Sequence, residues 1–320
     1  MRTALRRFIF LGFALAPAVL FVYAWHYYAA PGPSRQDTAL IFKRGERLQS
    51  IAADMAAAHV INHPLLFGAI ALLSGDRHKF RAGEYAFPAA ASPAMVMDMI
   101  THGRVVIHKL TVAEGLTVAE VEVLLDREAA LEGSVPANIP EGGLLPDTYY
   151  FVYGDKKSDV IARMQAGMTK LLAQLWPKRE AGLPFTTPQQ AVTLASMVEK
   201  ETGLAGERGH IAGVFVNRLR KGMKLQSDPT VAYGLGKPGT ALTTADLQAP
   251  NPYNTYVISG LPPAPICNPG KASIEAALNP PDTSDLYFVA TGNGGHNFAA
   301  TLKQHDHNVQ KYRQAVAKKQ

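Results

Sequence analysis

Two glutamates at the end of an otherwise apolar segment are the residues best placed for acid–base chemistry. Residues 187–210 read TPQQAVTLASMVEKETGLAGERGH. Leu194, Met197 and Glu201 fall on one helical face, which turns the Glu201 carboxylate inward. Glu199 lies roughly 200° round the helix from Glu201, so the two cannot form a carboxylate pair. One is expected to act while the other supports it or faces solvent. The alternative is a helix end with ordinary surface charges.

The start of this helix is signalled by three residues. Thr187 can cap it, Pro188 suits the first helical position, and Gln190 completes a capping box. Gly203 marks the expected end. We therefore predict a helix that presents a carboxylate at its carboxyl end.

The segments that follow are rich in amide, hydroxyl and aromatic side chains. Residues 224–236 predict a polar loop that leads into a short helical turn. Residues 254–270 contain four prolines and two glycines, so we expect an extended wall that carries Asn254, Tyr256 and Asn268. Amides bind hydroxyl groups in both directions and aromatic rings cover the apolar faces of sugars. This pattern favours carbohydrate recognition.

Composition and missing motifs exclude several other classes of protein. The chain has 320 residues, of which 47% are hydrophobic, enough for one large domain or two to three modest ones with real cores. Its net charge of +6 comes from scattered basic residues without a nucleic-acid motif, so we expect no nucleic-acid partner. The single cysteine, Cys267, excludes an internal disulfide.

Metal and cofactor sites are also not expected. No HExxH spacing, phosphate-binding glycine loop or GxSxG elbow occurs. A pyridoxal-phosphate lyase with Lys200 as the Schiff base would need a phosphate site that the sequence lacks.

The amino-terminal residues have the pattern of a membrane anchor. Arginines precede a long apolar run and no basic residue follows until Arg35. This predicts a cytoplasmic tail over residues 1–7, a transmembrane helix over 8–30 and a linker over 31–38. A cleavable signal peptide is the alternative, but the residues around a cut after Ala30 are poor for processing.

Residues 39–104 predict a small α+β module. Strands are expected near residues 39–43 and 80–88, with helices near 45–55 and 63–73 between them. The pattern KRGERLQSIA followed by FRAGEY resembles a LysM domain, a wall-glycan-binding module. A spacer that shares the fold without binding sugar is the alternative. A weaker echo of strand, glycine turn and helix follows over residues 106–121.

Residues 105–320 predict a larger domain of mixed α+β class. Helices are expected over residues 158–176, 211–219 and 274–278, with Gly213 packed closely against a neighbour. A buried strand over 286–290 should lead into a hairpin with His296 near its tip, and a charged helix should close the chain.

The motifs of this domain resemble one family. LASMVEKET, VFVNRLRKGMKLQSDPTVAYG, NPYNTYVISGLPP and LYFVATGNGGHNF are similar to the endolytic murein transglycosylases, the YceG-like family of bacterial inner membranes. The resemblance runs from about Leu110 to the carboxyl terminus. It implies a catalytic domain outside the cytoplasm, anchored in the inner membrane, that cleaves peptidoglycan glycan strands and can act beside peptidoglycan synthases.

The resemblance also assigns residues to roles. The second glutamate of EKET, Glu201, matches the family's catalytic acid. The positions that match cleft residues are Gln226, Ser227, Asp228, Tyr233, Asn254, Tyr256 and His296. A membrane-tethered scaffold that binds glycan for wall synthases without cleaving it is the alternative function.

Overall fold

The computed structural model describes residues 2–317, and their side chains from residue 16 onwards except that of Arg77. The described residues fall into two compact units. One contains the residues up to 108 together with 150–155, and the other contains 109–149 and the residues from 156 onwards. The mixed α+β class predicted from the sequence is confirmed.

The first unit is built around a pair of antiparallel strands. Its elements are α1 (Arg2–Ala29), β1 (Thr38–Phe42), α2 (Leu48–Ala57), α3 (Pro64–Leu73), β2 (Gly83–Phe87) and α4 (Pro93–His102). β1 pairs with β2 so that Thr38 lies opposite Phe87 and Phe42 opposite Gly83. Phe42, Phe87 and the rings of Phe67 and Tyr85 are buried in its core.

Helix α4 was not predicted, although its sequence carries the usual signals. Ser92 accepts a hydrogen bond from the Met95 amide at 3.2 Å, and Pro93 occupies the first helical position. Gly103 ends the helix with a φ of +65°, a left-handed conformation that favours glycine.

The amino-terminal helix α1 covers the predicted membrane anchor. Residues 8–15 of that prediction lie outside the residues whose side chains are described. Among the described residues, no helix has both the length and the apolarity needed to cross a bilayer.

The second unit is mostly helical. Its elements are β3 (Ile107–Thr111), α5 (Val118–Arg127), β4 (Leu131–Glu132), β5 (Thr148–Val152), β6 (Asp155–Lys156), α6 (Lys157–Leu175), α7 (Pro188–Glu201), α8 (Arg208–Arg220), α9 (Asp228–Gly234), α10 (Thr244–Gln248), α11 (Lys271–Leu278), β7 (Tyr287–Ala290), β8 (His296–Ala299) and α12 (Leu302–Ala317). Three short strands, β3, β5 and β6, each contain residues of both units.

Helix α7 lies in the middle of this unit. Every residue from 191 to 198 is buried, and α8 and α11 both pack against the helix. The predicted capping box is present: the Gln190 amide donates to Thr187 Oγ1 at 3.2 Å, and the Thr187 amide donates to Gln190 Oε1 at 3.1 Å. The helix ends at Glu201 rather than at Gly203, because Thr202 is already extended.

Close packing at Gly213 of α8 and a hydrogen bond to Ser196 of α7 position the segments around α7. A Cβ on Gly213 would lie 2.9 Å from Thr283 Cγ2, so α8 needs the predicted glycine there. The proline-rich segment over residues 254–270 forms no helix or strand, as expected. It is tied to α7 where Ser196 Oγ accepts a hydrogen bond from the Ile266 amide at 3.0 Å.

The carboxyl-terminal hairpin is formed by β7 and β8. β7 and β8 are antiparallel, with Tyr287 opposite Ala299 and Ala290 opposite His296. The turn is made by residues 291–295, in which Gly292 and Gly294 have φ values of +83° and +96°. His296 is the first residue of β8 and lies directly after this turn, near the tip of the hairpin as predicted.

Candidate active site

Glu201 is the last residue of the buried helix α7. Residues 191–198 before it are buried, and the Glu201 side chain itself is partly buried. Glu199, two residues earlier, has a different environment: its side chain is 5% exposed and accepts hydrogen bonds from the Gly270 amide at 2.8 Å and from Arg208 at 3.4 Å. Glu199 thus supports the fold, one of the two roles left open by the sequence.

The hydroxyl of Ser227 is the hydrogen-bond donor to Glu201. Ser227 Oγ donates to Glu201 Oε1 at 2.5 Å, and the Ser227 side chain is itself buried. Ser227 therefore contacts the candidate catalytic carboxyl, in addition to its predicted role at the cleft.

A left-handed turn places Ser227 there. Gln226 has a φ of +50°, which is uncommon for a residue with a side chain. Its amide donates to the Thr255 carbonyl at 3.1 Å, and the Ser227 amide donates to Thr255 Oγ1 at 2.9 Å. Thr230 Oγ1 lies 2.9 Å from the same Thr255 hydroxyl. Thr255 was not among the predicted site residues, although it lies between two of them in NPYNTY.

Burial has the largest effect on the pKa of Glu201. Loss of hydration raises its pKa to about 7, and the nearby Asp228 carboxylate acts in the same direction. The hydrogen bond from Ser227 and the charges of His296 and Arg218 lower it by less. A glutamate of this kind holds its proton for a large fraction of the time near neutral pH.

Arg218 is a buried cation that sequence reasoning missed. Its side chain is 6% exposed on α8, and its guanidinium donates to the carbonyls of Leu286 at 2.6 Å and Leu225 at 2.9 Å. It also donates to Gln226 Oε1 at 3.3 Å and so contacts the left-handed turn. The only sequence signal was a basic residue within an otherwise apolar helical face.

Asp228 and Tyr256 form a second pair beside Ser227. Tyr256 Oη donates to Asp228 Oδ1 at 2.6 Å. Burial and the adjacent carboxylate both raise the pKa of the Tyr256 phenol, so its proton stays on the ring oxygen. Asp228 is exposed, and it is the carboxylate whose charge acts on Glu201.

His296 is held by a carboxylate of its own. Its Nδ1 lies 2.8 Å from Glu207 Oε2, and its amide donates to Glu207 Oε1 at 2.9 Å. Thr202 Oγ1, from the residue after Glu201, donates to the same Glu207 carboxylate at 3.4 Å. The chain that follows Glu201 and the hairpin are therefore joined through Glu207.

Two other predicted residues have different surroundings. Asn254 is fully buried, and its Nδ2 donates to the carbonyls of Leu247 and Ala249 at 3.0 and 2.8 Å. Tyr233 Oη donates to Glu141 Oε2 at 3.2 Å. The structure thus brings Ser227 into contact with Glu201, with Asp228 and His296 close enough to influence its pKa. Gln226 and Tyr256 bond to neighbours of this group, Arg218 and Asp228. Asn254 holds a loop, and Tyr233 lines a neighbouring cavity.

Cation-binding side chains do not cluster in the described part of the chain. No group of three or more His, Cys, Asp or Glu residues there could hold a metal ion. Cys267 is buried, which raises the pKa of its thiol. The groups present at the site are the Glu201 carboxyl, with its raised pKa, and the hydroxyl and amide groups around it.

Comparisons with known proteins identify relatives that carry a named activity. An endolytic murein transglycosylase of Bacillus subtilis (strain 168) is 41% identical over 172 residues, which cover 54% of this chain and 48% of that protein. An endolytic murein transglycosylase of Streptococcus pneumoniae serotype 2 (strain D39) is 27% identical over 313 residues, which cover 83% of this chain and 56% of that protein. The chain spans about half the length of these curated relatives.

A solved structure and a family profile extend the comparison. The crystal structure of a YceG-like protein from Listeria monocytogenes matches with a TM-score of 0.55 and 28% identity, over 86% of this chain and 99% of that one. The profile of the YceG-like family matches residues 40–311. Because that match covers most of the chain, this protein belongs to the YceG-like family.

Proposed function

We propose that this protein is a membrane-anchored endolytic murein transglycosylase. It cleaves the β-1,4 bond from N-acetylmuramic acid to N-acetylglucosamine inside peptidoglycan strands, leaves a 1,6-anhydro end, and limits the length of nascent glycans. The observation that carries this proposal is the Glu201 carboxyl at the end of α7, whose pKa burial raises to about 7. The names of its relatives support the same activity.

The reaction needs one group that first gives a proton and then takes one. Glu201 donates its proton to the glycosidic oxygen as the bond from that oxygen to C1 breaks. The resulting carboxylate then accepts the proton of the muramic acid 6-hydroxyl, whose oxygen bonds to C1 and closes the anhydro ring. A pKa near the working pH serves both steps, because neither form of the carboxyl is costly to reach.

Asp228 is the carboxylate that a hydrolytic alternative would use. Hydrolysis of a glycosidic bond normally needs a second carboxylate to act as nucleophile or to activate water. Asp228 Oδ1 is bonded to the Tyr256 hydroxyl, which favours a role in holding the sugar over one as a base. Gln226 and His296 complete the proposed sugar-binding surface.

The anchor and the location are part of the proposal. Val19, Phe21 and Trp25 expose 60%, 70% and 65% of their surfaces on α1, which supports burial of this helix in lipid. The arginines before it favour a cytoplasmic amino terminus. The catalytic unit would then lie in the periplasm, beside the inner membrane and peptidoglycan synthases.

A wall-binding role for residues 39–104 is also proposed. The order strand, helix, helix, strand over β1, α2, α3 and β2, with the strands antiparallel, is consistent with the LysM-like pattern of the sequence. Binding of glycan by this module would raise the local concentration of substrate near the catalytic unit.

Glu201→Gln keeps the shape of the side chain and removes proton transfer. We expect a folded protein whose affinity for glycan is retained and whose turnover falls by about 10²-fold or more. Wild-type products should end in 1,6-anhydro-muramic acid, about 18 mass units lighter than hydrolytic products because no water is added. Mass analysis of a peptidoglycan digest measures both.

Glu132→Gln is the matched control, because Glu132 is an exposed glutamate of the same unit. It should leave turnover unchanged. Reducing-end products from the wild type would show that water is the nucleophile. Wall binding without any cleavage would instead support the scaffold alternative.

Ser227→Ala should shift the pH dependence of cleavage. The Ser227 hydroxyl stabilises the ionised form of Glu201, so its loss raises the pKa of Glu201 further above the ordinary value. In the wild type, kcat/KM should fall as pH rises through about 7, where Glu201 loses its proton. In the variant this fall should move to higher pH, and in Ser158→Ala it should not move. An identical pH profile in Ser227→Ala and wild type would refute the assignment.

The proposed topology can be tested with fusions. A reporter that is active only outside the cytoplasm, attached after Gln320, should be active, because the arginines retain the amino terminus inside. Mature protein that begins near Pro31 in the soluble periplasmic fraction would instead indicate a cleaved signal peptide.

Deletion of residues 39–104 separates wall binding from catalysis. We expect weaker sedimentation with wall sacculi and a smaller effect on cleavage of a short soluble glycan, because a short glycan does not need capture. Equal loss of both would assign the module a structural role.

A further inference from the structure

A cavity of about 780 Å³ opens beside the candidate catalytic residues. Lys200 and Asp228, which line it, are the chain neighbours of Glu201 and Ser227. Its other walls come from α9, the loop over residues 236–242 and the start of α5. The cavity thus lies beside the proposed site of cleavage, although neither Glu201 nor Ser227 lines it.

Charged groups of both signs line this cavity. Lys200 is exposed, and its Nζ donates to the Gly115 carbonyl at 3.3 Å. Glu120 and Glu141 also line the cavity. Glu141 Oε1 accepts the Val118 amide at 2.9 Å, and burial raises the pKa of this carboxyl. The Glu120 carboxylate is also held, since its Oε2 accepts the Thr117 amide at 2.8 Å.

The charges identify which part of the proposed substrate fits. The N-acetylated sugars of a glycan strand are uncharged, whereas the peptide on the lactyl group of muramic acid carries carboxylates and a side-chain amine. Sugar sites also rely on aromatic rings that cover the sugar. Among the described residues that line the cavity, only Tyr233 is aromatic. Ionisable groups of both signs and a single aromatic ring match a peptide better than a sugar.

We propose that this cavity binds the peptide of the muramic acid whose bond is cleaved, with Lys200 in contact with a peptide carboxylate and with Glu120 and Glu141 near its amine. The proposal rests on the proposed function, because it takes peptidoglycan as the substrate. It makes Lys200 a residue that determines specificity for glycan that carries peptide.

Binding of a disaccharide tests this without cleavage. The disaccharide of N-acetylglucosamine linked to N-acetylmuramic acid lacks the scissile bond, so the full-length wild type can be titrated with it by calorimetry. We expect tighter binding when the disaccharide carries its peptide. Lys200→Gln should weaken binding of that form by about tenfold, the effect of one charge-assisted contact, and leave the peptide-free form unchanged.

Two further variants make the result specific. Lys200→Arg keeps the charge and should retain most of the preference for the peptide. Lys170→Gln removes an exposed lysine of α6 that does not line the cavity and should change neither affinity. Thermal unfolding of each variant establishes that it is folded.

Three results would overturn the proposal. The first is that the wild type binds the disaccharide with and without its peptide equally tightly. The second is that Lys200→Gln leaves the affinity for the peptide-bearing form unchanged. The third is that Lys200→Gln weakens binding of both forms equally, which would place sugar in the cavity. Failure of the proposed function has a different signature, since the wild type would then give no 1,6-anhydro products while the preference for the peptide remained measurable.

Discussion

The site depends on the withdrawal of one carboxyl group from water. Glu201 stands at the end of a helix whose preceding residues are buried, and loss of hydration outweighs every nearby group that favours its charge. Glu199, on the same helix, has a different environment. Its carboxylate accepts hydrogen bonds from Arg208 and from the Gly270 amide, which stabilise its charge and give it a structural role. Two glutamates separated by one residue thus receive different roles from their surroundings.

A buried guanidinium so close to an acid could have ionised it. Arg218 instead directs the hydrogen bonds described for it to the carbonyls of Leu286, Lys224 and Leu225 and to Gln226 Oε1. No ion pair joins Arg218 to Glu201 among the described residues. The cation therefore fixes the backbone around the left-handed turn at Gln226, and the Ser227 hydroxyl is left as the direct partner of the acid.

The helix that carries Glu201 could be predicted because its signals are local. The Thr187 cap, Pro188 and the spacing of the apolar residues all lie within one short segment of sequence. The glycine-rich hairpin and the close packing at Gly213 could be predicted for the same reason. The roles of Arg218 and Thr255 could not be predicted, because each depends on contacts with chain that is distant in sequence. The family resemblance supplied the choice of Glu201 over Glu199, and burial supplies the physical reason for it.

The central claim is that burial raises the pKa of Glu201 to about 7, so that a large fraction of the protein carries this proton near neutral pH. It is tested most directly by carbon-13 NMR titration of the glutamate side-chain carboxyls in the full-length protein, with Glu201→Gln to assign the resonance. The account predicts that the Glu201 carboxyl titrates with a pKa of about 7. A midpoint near the ordinary glutamate value of about 4.3 would contradict it, since the carboxyl would then have no proton to donate near neutral pH.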